Sequence, residues 1–152
     1  MSNTGLEVFD KTLHETNRYL KVILRELGTD DRRIALSALR ATLHALRDRL
    51  MPMDAVHLGA QFPMLLRGLY YEDWRPAEIF AKERHTGQFL SHVEALLPPQ
   101  LKNYAEEVCR AAFTAIEECI DPGETLKVQS ELPLELRMLW PHPVMPEARQ
   151  SP

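Results

Sequence analysis

Apolar residues at Val8, Phe9, Leu13, Leu20, Ile23, Leu24 and Leu27, with Tyr19 beside them, recur at helical spacing and predict a first helix over 6–27. Gly28 follows as a stop, and Thr29-Asp30-Asp31 offers cap oxygens and negative charge to a second helix over 31–50. The expected inner stripe of that helix is Leu36, Leu39, Leu43, Leu46 and Leu50, and Ala35, Ala38, Ala41 and Ala45 leave room for a close neighbour. Pro52 suits a first helical position, where its missing N–H is not needed, so a third helix runs from 52 to near 61. Pro63 opens a fourth that ends at Tyr71. The linker Glu72-Asp73-Trp74-Arg75-Pro76 follows, with a weak helical turn expected at 77–81. Phe89, Leu90, Val93, Leu96 and Leu97 mark a fifth helix, broken by Pro98-Pro99. Leu101, Tyr104, Val108, Ala112, Phe113, Ile116 and Ile120 mark a sixth. Asp121-Pro122-Gly123-Glu124 opens a seventh that ends near Glu131, and Pro133 an eighth that reaches Trp140.

The order of these elements repeats. QFPMLLRGLYYEDW (61–74) returns 70 residues later in altered form as ELPLELRMLW (131–140). At that offset, residues 35–70 fall on 105–140 without a gap, and nine pairs are identical: Ala35/Ala105, Arg40/Arg110, Ala41/Ala111, Ala45/Ala115, Pro52/Pro122, Pro63/Pro133, Leu66/Leu136, Arg67/Arg137 and Leu69/Leu139. Composition alone would give about two or three. The first helix joins in, with Tyr19/Phe89, Leu20/Leu90, Ile23/Val93 and Leu27/Leu97. The expectation is an all-α fold: a tandem repeat of two similar units, about four helices each, packed into one bundle-like domain. Its divisions are a lead at 1–5, repeat one at 6–75, repeat two at 76–140 and a disordered tail at 141–152, rich in proline and polar residues. The two units pack about a pseudo-twofold axis or stack side by side.

Composition narrows the function. The chain has 152 residues and a net charge of −4, which counts against a nucleic-acid partner. No apolar run reaches the length of a membrane span, and no signal peptide is visible. Cys109 and Cys119 are ten residues apart on one helix, about 15 Å along its axis, too far for a disulfide within it. Free thiols fit a reducing cytoplasm.

No catalytic residue, metal ligand or cofactor stands out. The six histidines, His14, His44, His57, His85, His92 and His142, lack an i, i+4 pair backed by a carboxylate, and none recurs at the repeat offset. No nucleophile sits in a glycine-rich turn, and no glycine-rich phosphate loop is present. Arg33, Arg40 and Arg47 make a basic stripe on the second helix, but the second copy has Asn103, Arg110 and Glu117 there. Arg40, Arg110 and Arg137 therefore read as structural, as do the helix-starting Pro52, Pro122, Pro63 and Pro133. The candidate binding residues are Arg67, Tyr70, Tyr71, Trp74 and Arg75, since Tyr, Trp and Arg are the types that anchor interfaces. Arg67 also has a structural alternative, shared with Arg137: capping carbonyls or pairing with a carboxylate.

The runs GTDDRRIALSALRATLHALRDRL and HLGAQFPMLLRGLYYEDWRP resemble a bacterial family catalogued as domain of unknown function 2267, over nearly the whole chain from Leu6 to Trp140. The resemblance implies an all-helical fold and a bacterial cytosolic setting, and brings no catalytic residue with it. The function these readings favour is a non-enzymatic helical module that binds another protein or its own copy. The alternative is a small-ligand or lipid-binding bundle with a pocket between the repeats.

Overall fold

The computed structural model describes residues 3–76 and 83–146. The helical turn expected at 77–81 lies outside the described residues. Among those described there are eight α-helices, one 3-10 helix and no strand: α1 Glu7–Leu27, α2 Arg32–Arg49, α3 Pro52–Gly59, α4 Met64–Tyr71, α5 Thr86–Leu96, the 3-10 helix Pro99–Tyr104, α6 Ala105–Cys119, α7 Pro122–Ser130 and α8 Leu134–Arg137.

Local chemistry sets these boundaries. Gly28 ends α1 in the left-handed conformation (φ 66°), and its amide returns to the Leu24 carbonyl. The Asp31 carboxylate caps α2 by accepting from the Arg33 amide at 3.0 Å, and Asp121 caps α7 through the Gly123 amide at 2.7 Å. Gln88 reaches back to the His85 amide at the start of α5. Pro52 and Pro122 occupy the first turns of α3 and α7. Pro63 and Pro133 stand one residue outside α4 and α8, as caps rather than first residues. The expected sixth helix begins instead as the 3-10 helix Pro99–Tyr104 and becomes α-helical from Ala105. The eighth stops at Arg137; Leu139 and Trp140 continue in tighter turns, donating to Leu136 and Arg137 carbonyls.

The helices α1, α2, α5 and α6 form the central bundle. α1 lies along α6, α5 lies against α2, and α2 packs on α6. α4 covers α1 and α2, α8 touches α5, and α3 meets α7. α2 is enclosed on almost every side: Ala35, Ala38, Leu39, Leu43, Ala45 and Leu46 are fully buried, with Ala41 close to it. Each buried leucine is worth about 1.5–3 kcal/mol, so this helix anchors the fold. Enclosure also traps polar side chains, and Thr42, His44, Arg47 and Arg49 are buried with it.

Three apolar assignments change. Leu36 faces outward, because the alanine face of α2 and not the leucine stripe alone receives its neighbours. Val8, Phe9 and Leu13 are exposed, since the first turns of α1 run past the end of the bundle. Residues 141–146, assigned to a disordered tail, are ordered up to Val144 by hydrogen bonds to α6, α7 and Arg137.

Candidate functional site

The five residues singled out for binding do not form one exposed patch. Tyr70 is fully buried, and its hydroxyl donates to the Ala55 carbonyl at 2.6 Å. It belongs to a chain of ring contacts from the core to the surface: Tyr19, Phe62, Tyr70, Tyr71, Trp74. Tyr71 and Trp74 are half-buried against the core, with ring centres 5.5 Å apart. Arg67 donates to the carbonyls of Gly59 (3.1 Å) and Phe62 (2.9 Å), which places it at the C-terminal end of α3. Its fork serves the structural alternative, while the side chain remains exposed. Arg75 is exposed.

Residues at matching offsets pin the chain after α4 and after α8. Arg137 donates to the Leu132 and Val144 carbonyls at 2.9 and 3.1 Å. Arg40 pairs with Glu72. Arg110 pairs with Glu106 and donates to the Met138 carbonyl. Arg47 holds the carbonyls of Tyr70 and Glu72, each at 2.8 Å. Its counterpart Glu117 accepts from the His142 amide and contacts the His142 ring at 2.6 Å. Above the ends of α3 and α7, Tyr71 stacks over Gly59, whereas Gln129 binds the backbone of His142 and Val144.

A groove of about 330 Å³ runs between α3 and α7. Leu58 and Val128 make its floor; Asp54, His57, Glu124, Lys127 and Glu131 supply polar walls. Leu126 lines it while 49% exposed, and Val56, one residue before His57, is 40% exposed. Lys127 pairs with Glu124 at 3.3 Å. A more apolar cleft of about 390 Å³ lies between the α1–α2 junction and α6, lined by Leu27, Ile34, Leu101, Tyr104 and Val108.

A buried polar cluster joins α2 to α5. His92 stands between Asp48 and Glu83, and Arg47 contacts Asp48 at 2.9 Å. Burial raises the Glu83 pKa above the usual carboxylate range. The hydrogen bond to Asp48 raises His92. Burial pushes Asp48 upward, but His92 and Arg47 outweigh it and leave its pKa lowered. Burial lowers His44, which bonds the Leu69 carbonyl through Nε2. No acidic partner for His92 is visible at ligand spacing in the sequence, because Asp48 and Glu83 come from other segments; only folding brings the three together. His85 likewise meets Glu135 of α8 at 3.2 Å. Among the described residues, no group of three or more His, Cys, Asp or Glu is placed to hold a metal ion. Cys109 and Cys119 are free, and burial pushes the Cys109 thiol up to about 12.

Among the described residues, no helix is long and apolar enough to cross a membrane. No curated protein matches the chain. A family model described as an uncharacterized conserved protein matches residues 16–143, most of the length, and the chain belongs to that family, DUF2267.

Proposed function

We propose that this chain is a non-enzymatic interaction module made of two copies of one four-helix unit, related by a pseudo-twofold axis. Its docking surface is the groove between α3 and α7, and its partner is another protein. The two-copy reading is supported by the packing: α1 lies on α6 as α5 lies on α2, while the matched pairs α2/α6 and α3/α7 each meet one another. A twofold axis produces that pattern, and side-by-side stacking does not. One observation carries the docking surface. Val56 and Leu126 are equivalent at the 70-residue offset, both apolar and both exposed; Leu126 lines the groove with Leu58 and Val128, and Val56 adjoins its lining residue His57 in sequence. Packing accounts for repeated buried positions, whereas a shared exposed apolar pair fits a surface covered by something else. The net charge of −4 favours protein over nucleic acid as the partner, and the two free cysteines fit a cytoplasmic setting.

The test is a photo-crosslinking side chain at Val56 in the native host, with the same group at Lys11 as control. A discrete adduct from Val56 alone, lost in Leu126→Glu, supports the reading; a dimer-sized adduct would make the partner a second copy. Equal or absent labelling at both positions would refute it. A second reading, small-ligand binding, rests on the apolar cleft at Ile34 and Tyr104. It predicts a copurifying small molecule in native mass spectrometry, displaced by Ile34→Trp.

A further inference from the structure

His92 presents each ring nitrogen to a different carboxylate. Nε2 faces Asp48 Oδ2 at 3.4 Å, and Nδ1 faces Glu83 Oε1 at 3.2 Å. The three side chains are only 14–16% exposed. A neutral imidazole has one N–H, so it can donate to one of these carboxylates and not to both. The other nitrogen would turn a lone pair toward an ionised oxygen, in surroundings where water screens little. The contact as it stands needs one more proton. That proton sits on the ring, giving an imidazolium between two carboxylates, or on Glu83, which removes the charge facing Nδ1. The proton count is the same either way.

We propose that this proton is a latch. It fastens residues 83–85, which lead into α5, onto α2, and its loss parts Glu83 from His92.

The neighbouring charges decide which side of the ring opens. Arg47 of α2 contacts Asp48 at 2.9 Å and keeps it ionised, so the ring's remaining N–H stays with Asp48. Arg49 of α2 donates to the Glu83 backbone carbonyl, and Arg84 lies within electrostatic reach of Arg49. His44 of α2 is held to the Leu69 carbonyl and acts on Asp48 electrostatically. On the far side, Glu135 of α8 accepts from the Thr86 amide at 2.9 Å and faces His85, so it anchors the start of α5 independently of the latch. The raised pKa values of His92 and Glu83 have the same sign, with the latch closed at lower pH and opening as pH rises through the coupled transition. Release leaves the Glu83 backbone carbonyl on Arg49 and α5 held by its apolar face and by Glu135, so what is freed is the Glu83 side chain and the residues that follow it. The latch is separate from the α3–α7 groove, and either can fail without the other.

The experiment follows the His92 ring nitrogens by NMR in the full chain, from about pH 5.5 to about 9.5, either side of the ordinary histidine value. Amide hydrogen exchange at residues 84–89, corrected for its intrinsic pH dependence, is measured over the same range. His92 should titrate above the ordinary histidine value, and exchange should rise at least about tenfold in step with it. Glu83→Gln puts a neutral N–H donor against Nδ1, so the segment should stay closed with no exchange step. His92 titrating at or below the ordinary histidine value, or an exchange step surviving unchanged in Glu83→Gln, overturns the proposal. Both measurements use folded protein, so a poorly folding His92 variant does not affect the outcome.

Discussion

Arg67→Ala and Arg137→Ala test whether the repeated arginines hold the fold. Each guanidinium donates to backbone carbonyls near a helix end: Arg67 to Gly59 and Phe62 at the end of α3, and Arg137 to Leu132 after α7 and to Val144 beyond α8. A hydrogen bond from a charged donor is worth about 1.5–3 kcal/mol when well enclosed. Arg67 is exposed on its outer side, so water replaces part of what is lost. A cation at a helix C-terminus adds about 0.3–1 kcal/mol. The loss for Arg67→Ala comes to about 2 kcal/mol. Arg137 is more enclosed and also holds the segment after α8, which raises its loss to about 2–3 kcal/mol. At about 2–4 °C per kcal/mol for a chain of this size, melting should fall by about 4–12 °C. Lysine should recover less than half, because an ammonium cannot span two carbonyls as a planar fork does. Urea denaturation of the two alanine and two lysine variants beside Trp74→Ala gives the measurement. If both alanine variants keep the wild-type midpoint within about 0.5 kcal/mol, the capping argument fails and Arg67 returns as a binding residue.

Arg47→Ala should be the most damaging arginine change, about 3–5 kcal/mol, because it strands Asp48 and frees two carbonyls in a buried place; an unchanged urea midpoint would contradict that. Gly59→Ala would bring a Cβ to 2.8 Å from the Tyr71 ring and 2.9 Å from the buried Tyr70 ring; it should cost about 1–3 kcal/mol and shift Trp74 fluorescence, and a silent variant would refute the packing. In acid, His44 and Asp48 act together. Each has a lowered folded-state pKa, so the unfolded chain binds the proton first and stability falls as pH drops below the ordinary histidine value and then the ordinary carboxylate value. His44→Gln, which can still donate to Leu69, should flatten the first part of that fall in pH-dependent denaturation.

What the sequence reveals here depends on range. Helices α1 to α7 were legible because periodicity and caps such as Gly28, Asp31 and Pro52 act within a few residues. Leu36 was misassigned because a helix enclosed on nearly all sides has no single apolar stripe, and the alanine face took the closest neighbours. Tyr70, Tyr71 and Trp74 have interface chemistry, but their place depends on Gly59, whose missing side chain opens the space for Tyr71. Arg67 offered both roles in the sequence; only the position of the α3 carbonyls decides between them. The His92 cluster was out of reach, because its members lie at 48, 83 and 92 and none carries a local signature. Val56 and Leu126 were visible as a matched apolar pair, but their exposure was not.

The proposal of two copies of one unit bears on the differences between the halves as well as on the identities. Identical buried residues could be demanded by packing alone. Position 47/117 is different: Arg47 donates to carbonyls after α4, while Glu117 accepts from an amide and a ring after α8. The charge is reversed, yet the same position fastens the same following segment. Position 59/129 behaves similarly. Glycine admits Tyr71 in one half, and Gln129 binds residues 142 and 144 in the other. Trp74 and Val144 are themselves equivalent at the 70-residue offset. The segment after each last helix therefore closes its own half, by aromatic stacking in one and backbone hydrogen bonds in the other. Trp74 stacks on Tyr71 within this closing segment, while Val56 and Leu126, like the matched pair Met64 and Leu134, stay exposed; the groove lined by Leu126 is the surface proposed to take a partner.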